Sequence, residues 1–248
     1  MKREKDPMGK AILDYVKRQK RVTDSQRTGM ADRLRVFSPL FEEDEIPMQT
    51  LFRQYIDMPE VERMALDMVK GKTLDVGAGS GCHSLVLQEK GVEVTAIDIS
   101  PLAVEAMKLR GVKNVIEQDF FTLEGQYDTI LMLMNGIGIV GTLERLPDIF
   151  CQLDHILAPG GQLLCDSSDI SYVYKDENGI VDYPDSGHYY GMLTYRMQYQ
   201  NIMGEPFTWL YVDADTLKQK AEENGYSVEV VVEGENYDYL AKITKKQG

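Results

Sequence analysis

Three glycines stand at alternate positions in Asp75-Val76-Gly77-Ala78-Gly79-Ser80-Gly81, directly after the short run Thr73-Leu74-Asp75-Val76. Glycine opens backbone conformations closed to other residues and lets a ligand approach the main chain. A loop between a strand and a helix turns backbone N–H groups outward toward an anionic or polar group. Beyond Gly81 the chain alternates between strand and helix signals. Helix is predicted over 82–90 with Gly91 after it, and strand over 92–97 running into Asp98. A second helix has Ser100 as its cap, Pro101 in its first turn and Gly111 at its close. Strands come next over 114–118, 127–134 and 162–165, with a helix over 142–157 before the last. Short connections between alternating elements dictate right-handed crossovers and a mostly parallel, doubly wound α/β sheet.

The flanks are less regular. Helix is predicted in two pieces between residues 9 and 40. Ile12, Leu13 and Val16 give helical spacing in the first piece, and Met30, Leu34 and Phe37 in the second, with a break at Thr28-Gly29. Helix is also predicted over 48–55 and 59–69. After Asp166 the alternation lapses. Eight of the fourteen tyrosines and the single tryptophan, Trp209, fall between residues 167 and 212. A strand within 189–200, a turn over 201–206 and a return strand over 207–212 make this segment a β insert after strand five. A helix capped by Asp213 and a closing hairpin, 227–232 and 237–243, bring the sheet to seven strands. The division expected is a helical N-terminal extension, 1–58, and a main domain, 59–248, that carries the Tyr-rich insert 167–212.

Of the 248 residues 43 % are apolar and 27 % charged, which is ordinary globular composition. A net charge of −13 disfavours a nucleic-acid backbone as main partner. The charge is uneven. Residues 1–35 carry eleven basic and five acidic side chains, the remainder sixteen and thirty-five. The basic segment reads as a solvated helical arm or homo-oligomer contact, and alternatively as an RNA or membrane anchor. Interrupting acids and the lack of interleaved aromatics argue for the first. Cys82, Cys151 and Cys165 are sparse and odd in number, as expected of reduced thiols in a cytoplasmic protein. No apolar leader core or membrane-length apolar run is seen.

The glycine loop excludes two familiar nucleotide signatures. A dinucleotide fingerprint needs a third glycine where Cys82 or Ser84 stands, and a phosphate-binding Walker loop needs Gly-Lys-Ser/Thr. Leu74-Asp75-Val76-Gly77-Ala78-Gly79-Ser80-Gly81 instead resembles the first motif of class I S-adenosylmethionine (SAM)-dependent methyltransferases. The resemblance runs from about Lys72 to Asp169. It implies a Rossmann-like fold with SAM as cofactor: Gly77, Ala78, Gly79 and Gly81 around its methionyl part, and Asp75 near its amino group. Asp98, at the end of the second strand, is placed to accept both ribose hydroxyls, as the acidic residue of the related dinucleotide folds does. The resemblance further implies Ile99 against the adenine face, Asp119 and the Phe120 backbone at the adenine edge, and Asn135 at the mouth where transfer occurs. Pro159-Gly160-Gly161 before strand five is another family feature. Each aspartate could equally be a strand-terminal turn residue or helix cap; their register with the loop favours the cofactor.

Methyl transfer is an in-line displacement, so the protein's work is mainly positioning and electrostatics, with a general base needed only where the acceptor must lose a proton. No catalytic residue stands out. Asn135-Gly136-Ile137-Gly138 does not match the Asn/Asp-Pro-Pro-aromatic motif of exocyclic-amine enzymes, and asparagine at 135 argues against a metal-assisted site. The resemblance implies a small-molecule methyl acceptor, with N or O as the accepting atom. Candidate acceptor residues are Tyr55 with Arg53, Asp169, His188, Arg196 and Trp209. Asp169 or His188 could act as a base, and Arg196 could pair with a carboxylate. The insert's aromatics could instead pack a β extension or an oligomer contact. The other readings are a protein or RNA methyltransferase docking through the basic arm, and a non-catalytic SAM-binding regulatory protein.

Overall fold

A computed structural model describes residues 1–21, 33–183 and 187–246. The first elements are α1 (Pro7–Arg21), β1 (Arg33–Ser38), β2 (Phe41–Pro47) and α2 (Glu60–Asp67). Alternation then begins with β3 (Thr73–Val76), α3 (Cys82–Glu89), β4 (Val94–Asp98), α4 (Pro101–Arg110) and β5 (Val115–Glu117). It continues through β6 (Tyr127–Met132), α5 (Leu146–Ile156) and β7 (Leu157–Ser168). The insert supplies β8 (Met192–Tyr199), β9 (Ile202–Met203) and β10 (Phe207–Leu210), and α6 (Ala214–Glu223), β11 (Tyr226–Glu233) and β12 (Asp238–Lys245) close the chain. The larger sheet has seven strands in the order β11-β12-β7-β6-β3-β4-β5. The pairs β3–β6, β4–β5 and β6–β7 are parallel, and β12 joins β7 antiparallel. This is the mostly parallel α/β sheet expected.

The chain divides into two compact units. One comprises Met1–Met58, Gly77–Phe120 and Tyr195–Phe207, the other Pro59–Val76, Phe121–Thr194 and Thr208–Gly248. In the first, α1 turns Ala11, Ile12, Leu13 and Val16 onto Leu34, Met48, Leu51, and Leu102 and Ala106 of α4. These four positions are one face of a 3.6-residue helix. In the second, Ile130 and Leu131 of β6, Leu163 and Leu164 of β7, and Leu240 and Ile243 of β12 are fully buried. A near-continuous apolar run such as β6 is what a strand covered on both faces requires.

One expectation fails. The second N-terminal helical piece is a strand over its described part: β1 pairs antiparallel with β2. Leu34 and Val36 are buried while Arg33 and Arg35 face outward and meet Glu45 and Glu43 on β2. The governing period is two, and the three-residue step from Leu34 to Phe37 imitates a helix by coincidence. Met30 and the Thr28-Gly29 break lie outside the described residues. Residues 48–57 form 3₁₀ turns in place of a full helix. The Ser100 and Asp213 caps are as read, accepting from Ala103 N at 2.9 Å and Thr216 N at 2.9 Å.

Gly81 sits at φ +77°, and a Cβ there would lie 2.8 Å from Val112 Cγ2 and 3.1 Å from Met107 Cγ. Strain and overpacking add, so Gly81→Ala is expected to cost roughly 2–4 kcal/mol in urea unfolding. A midpoint equal to the native one would show that the loop can relax around the methyl group.

Candidate active site

In the first unit the glycine loop and the end of β4 form one hydrogen-bonded assembly. Gly77, Gly79 and Gly81 all adopt positive φ, between 55° and 77°. Ala78 N donates to Ile97 O at 3.0 Å, and Gly81 N turns back onto Ala78 O at 2.7 Å. Asp98 then holds the loop: its Oδ2 accepts Gly79 N at 2.9 Å and its Oδ1 accepts Ser100 N at 2.8 Å. A charged acceptor makes these the stronger kind of hydrogen bond.

Three features of this unit suit a nucleoside cofactor. A Cβ on Gly77 would meet nothing within 4 Å, so the loop leaves open space where any other residue would project. Ile99, 46 % exposed beside Asp98, is an apolar surface at a strand's carboxyl end. Asp119 is exposed while Phe120 is buried. The remaining polar side chain of the loop is committed internally. The Ser80 hydroxyl donates to Leu51 O, and Arg110 donates to Ser80 O at 2.6 Å and Ser80 Oγ at 3.0 Å. Tyr55 has the Lys90 ammonium over its ring at 4.4 Å. Arg196 lies exposed on β8 with its Nε–H given to Gly204 O at 2.9 Å.

In the second unit the ends of β6 and β7 are bound together. Met134 and Asn135 both take left-handed backbone conformations, φ 63° and 57°, which is costly for residues other than glycine. Asp166 compensates by accepting both backbone donors, Met134 N at 3.1 Å and Asn135 N at 2.7 Å. Asn135 makes four further bonds, one of them from Gly138 N to its backbone O at 3.0 Å. Its Nδ2 donates to Leu210 O at 3.1 Å, its Oδ1 accepts the Ser167 hydroxyl at 2.9 Å, and its backbone O accepts the Trp209 indole N–H at 3.0 Å. Sequence reasoning set Asn135 and Trp209 apart as cofactor and acceptor contacts; the structure brings them together as partners. Asp75, in β3, is buried.

The network continues into the Tyr-rich insert. Ser167 Oγ accepts Val212 N at 3.0 Å, and Asp213 is the next residue in the chain. The Tyr189 phenol donates to Asp213 Oδ2 at 2.5 Å, and the Tyr190 phenol donates to Asp169 Oδ1 at 2.8 Å with Asp213 Oδ2 at 3.3 Å. The rings of Tyr183 and Tyr190 stack at 4.6 Å, with Tyr174 edge-on to both. Asp169 is thus gathered with Tyr189, Tyr190 and Asp213, whereas His188 is exposed. The sequence had no signal for Tyr189 and Tyr190 beyond tyrosine density. Burial pushes both phenols well above the ordinary tyrosine range, aided at Tyr190 by its hydrogen bonds with Tyr189 and Asp169. Burial pushes Asp213 upward, but hydrogen bonds from Thr216 and Tyr189 outweigh it and hold the carboxyl below its usual range. The two phenols are therefore proton donors at neutral pH, not bases. Among the described residues no group of three or more His, Cys, Asp and Glu could hold a metal ion, and no helix is long and apolar enough to cross a membrane.

A family model described as a methyltransferase domain matches residues 48–231. The chain is 51 % identical to a SAM-dependent methyltransferase from Bacteroides fragilis, solved in complex with S-adenosyl-L-homocysteine; the match covers all of this chain and 98 % of that one, with a TM-score of 0.90. The chain belongs to the class I SAM-dependent methyltransferases. The CcbJ methyltransferase of Streptomyces caelestis shares the fold at 14 % identity, with a TM-score of 0.60 over 80 % of this chain and 98 % of that one. A ubiquinone biosynthesis O-methyltransferase of Xylella fastidiosa is 33 % identical over 98 residues, 37 % of this methyltransferase and 39 % of that protein's length. The chain thus spans about two fifths of the length of the curated relatives it matches.

The raised phenols carry a pH signature. Their contribution to stability is complete below the ordinary tyrosine pKa of about 10 and is lost as pH rises toward their folded-state values. Unfolding free energy, measured by urea titration, is expected to fall between about pH 9.5 and 11. Tyr190→Phe is expected to flatten that decline; an unchanged slope would place the titrating group elsewhere.

Proposed function

We propose that this chain transfers the methyl group of SAM to a nitrogen or oxygen atom of a small molecule. The observation that carries the reading is the Asp98 carboxylate seated between Gly79 N and Ser100 N under a loop of three left-handed glycines. In this reading the loop backbone of Gly77, Ala78, Gly79 and Gly81 faces the methionyl carboxylate, Asp98 accepts the ribose hydroxyls, and Ile99 covers one adenine face. Asp119 and the Phe120 backbone serve the adenine edge. Asp75 and Asn135 enter by resemblance alone. SAM supplies a methyl group already activated on a sulfonium. The protein's part is to align the acceptor and keep water out.

We assign acceptor selection to the Tyr-rich insert, 167–212. Its tyrosines carry aromatic faces and protonated hydroxyls suited to a polar acceptor with an apolar body. We assign the departing proton, where the acceptor loses one, to Asp169, which lies in the insert and accepts the Tyr190 hydroxyl. The name of the Xylella fastidiosa relative supports an oxygen acceptor, within the 98 residues it shares with this chain. Most described cations of the basic N-terminal segment pair within the chain, which favours the small-molecule reading. Arg3 and Lys17 pair with Glu105, Lys5 with Glu205 and Lys10 with Asp14, while Arg18 donates to the Tyr199 hydroxyl and Lys20 to Leu109 O.

S-adenosyl-L-homocysteine at a hundred times its dissociation constant should stabilise the native chain by about 2.7 kcal/mol, read as a rise in Tm. No shift at millimolar ligand would remove the cofactor reading. Asp98→Ala should weaken calorimetric binding at least about tenfold, since a charge-assisted contact is worth about 1.5–3 kcal/mol. Native-like affinity in this variant would take Asp98 out of the site.

A further inference from the structure

Helix α4 ends in a cation that is turned onto the glycine loop. Arg110 closes that helix, and its Nη1 donates to Ser80 O at 2.6 Å and to Ser80 Oγ at 3.0 Å. Its guanidinium lies over the Phe52 ring at 4.7 Å, and Phe52 packs on the Tyr15 ring at 4.4 Å. Among the described residues these neutral groups are its side-chain partners, and no carboxylate pairs with it. Asp98 meets the loop elsewhere, at Gly79 N. Burial pulls the guanidinium below its ordinary range, and the groups that act against this, the Cys82 thiol and the Tyr15 phenol, are not carboxylates either. A guanidinium stays protonated all the same. A half-buried cation without a counter-ion costs free energy until something supplies one.

The end of α4 does not account for this placement. A cation in a helix's last turn is favoured by the carbonyls there. At this end, however, Leu109 O is met by Lys20 and Gly111 O by Gln88. Arg110 reaches instead to Ser80, beside the start of α3. The first turn of α3 has no acidic residue, and its cap, Gly81, has no side-chain bond. That is the positive end of a helix, where an anion is favoured and a cation is not. Arg110 and α3 thus bring two sources of positive potential to one loop. Holding Ser80 O needs only a neutral donor, so a full charge exceeds what that bond requires.

We propose that Arg110 is a positioning residue that sets cofactor specificity: its charge, fixed behind the loop by Ser80, selects a ligand with a carboxylate at its methionyl end. The inference rests on the reading of the loop as the seat of that end. A carboxylate at the loop backbone is the counter-ion that the described chain withholds from Arg110. The charge acts across the loop and not by contact. At an effective dielectric of about 20, a unit charge about 10 Å away is still worth about tenfold in affinity. A neutral ligand of the same shape gains nothing from it. An adenosine thioether that carries an amide in place of the carboxylate is therefore rejected by Arg110 at a distance.

The test uses the full chain and two ligands, S-adenosyl-L-homocysteine and its carboxamide, which differ in charge and hardly in shape. Calorimetry of the native chain is expected to show the acid bound at least about tenfold more tightly than the amide. Arg110→Gln keeps a donor for Ser80 O and removes the charge, and is expected to lower that preference about tenfold. Arg110→Met, which keeps an apolar stem against Phe52, is expected to do the same, so the outcome does not hang on one variant folding. Arg110→Lys keeps the charge and is expected to retain most of the preference. A defect of loop shape alone weakens both ligands alike and leaves their ratio as in the native chain. That result in the neutral variants, or a lysine variant no more selective than they are, overturns the inference. A native chain that binds acid and amide equally fails only the role of Arg110, whereas one that binds neither fails the cofactor reading itself.

Discussion

The carboxylate of Asp98 is the constraint around which the first unit is organised. Three alternate glycines at positive φ leave a loop with little intrinsic preference for one shape, because glycine surrenders the most conformational freedom on folding. Something must select the shape, and one ionised side chain with two backbone partners does so. The group that fixes the loop is also the one assigned to the ribose diol. Fixing it beforehand lowers the ordering cost when a ligand arrives.

The second unit solves a similar problem by other means. Strand β6 ends in two non-glycine residues with left-handed backbones, an arrangement that persists only where its surroundings over-determine it. Asp166 supplies that determination, and Asn135 commits its side chain and its backbone carbonyl to Leu210, Ser167 and Trp209. Asn135 is therefore better understood as the tie between β6, β7 and the insert than as a free hydrogen-bonding group. Trp209 packs against Gly138 so closely that a Cβ there would fall on its indole nitrogen. The glycine at 138 is a packing requirement.

Much of this was legible in the sequence, for physical reasons that differ by element. The alternation of β3 to β7 with α3 to α5 shows because buried parallel strands are apolar runs, and capped helices between them carry Ser100-Pro101 and Gly111 as punctuation. The strand-end aspartates show because their spacing tracks that alternation. What failed was local and short. In β1 the apolar positions at 34, 36 and 37 satisfy two periods at once, and only pairing with the acidic strand β2 decides between them. The Asp169–Tyr190–Asp213 cluster joins residues up to 44 positions apart, and nothing in composition says which tyrosines meet which carboxylates. Asp6 did leave a signal, an aspartate before Pro7 at a helix start, but its contact with Ser100 spans 94 residues and is a tertiary fact.

The basic arm is the clearest case of composition and structure pointing in different directions. A +6 segment on an acidic body invites an external partner, yet among its described residues Arg3 and Lys17 meet Glu105 and Lys5 meets Glu205, while Arg18 and Lys20 donate to neutral oxygens. Each such surface pair is worth little alone, commonly under about 1 kcal/mol. Their number still matters, because they bear on one helix whose apolar face is itself part of the buried core. The helix is held by an aspartate cap, an apolar face and exposed ion pairs. The excess positive charge of the arm is thus met in part inside the chain, over its described residues, by Glu43, Glu45, Glu105 and Glu205.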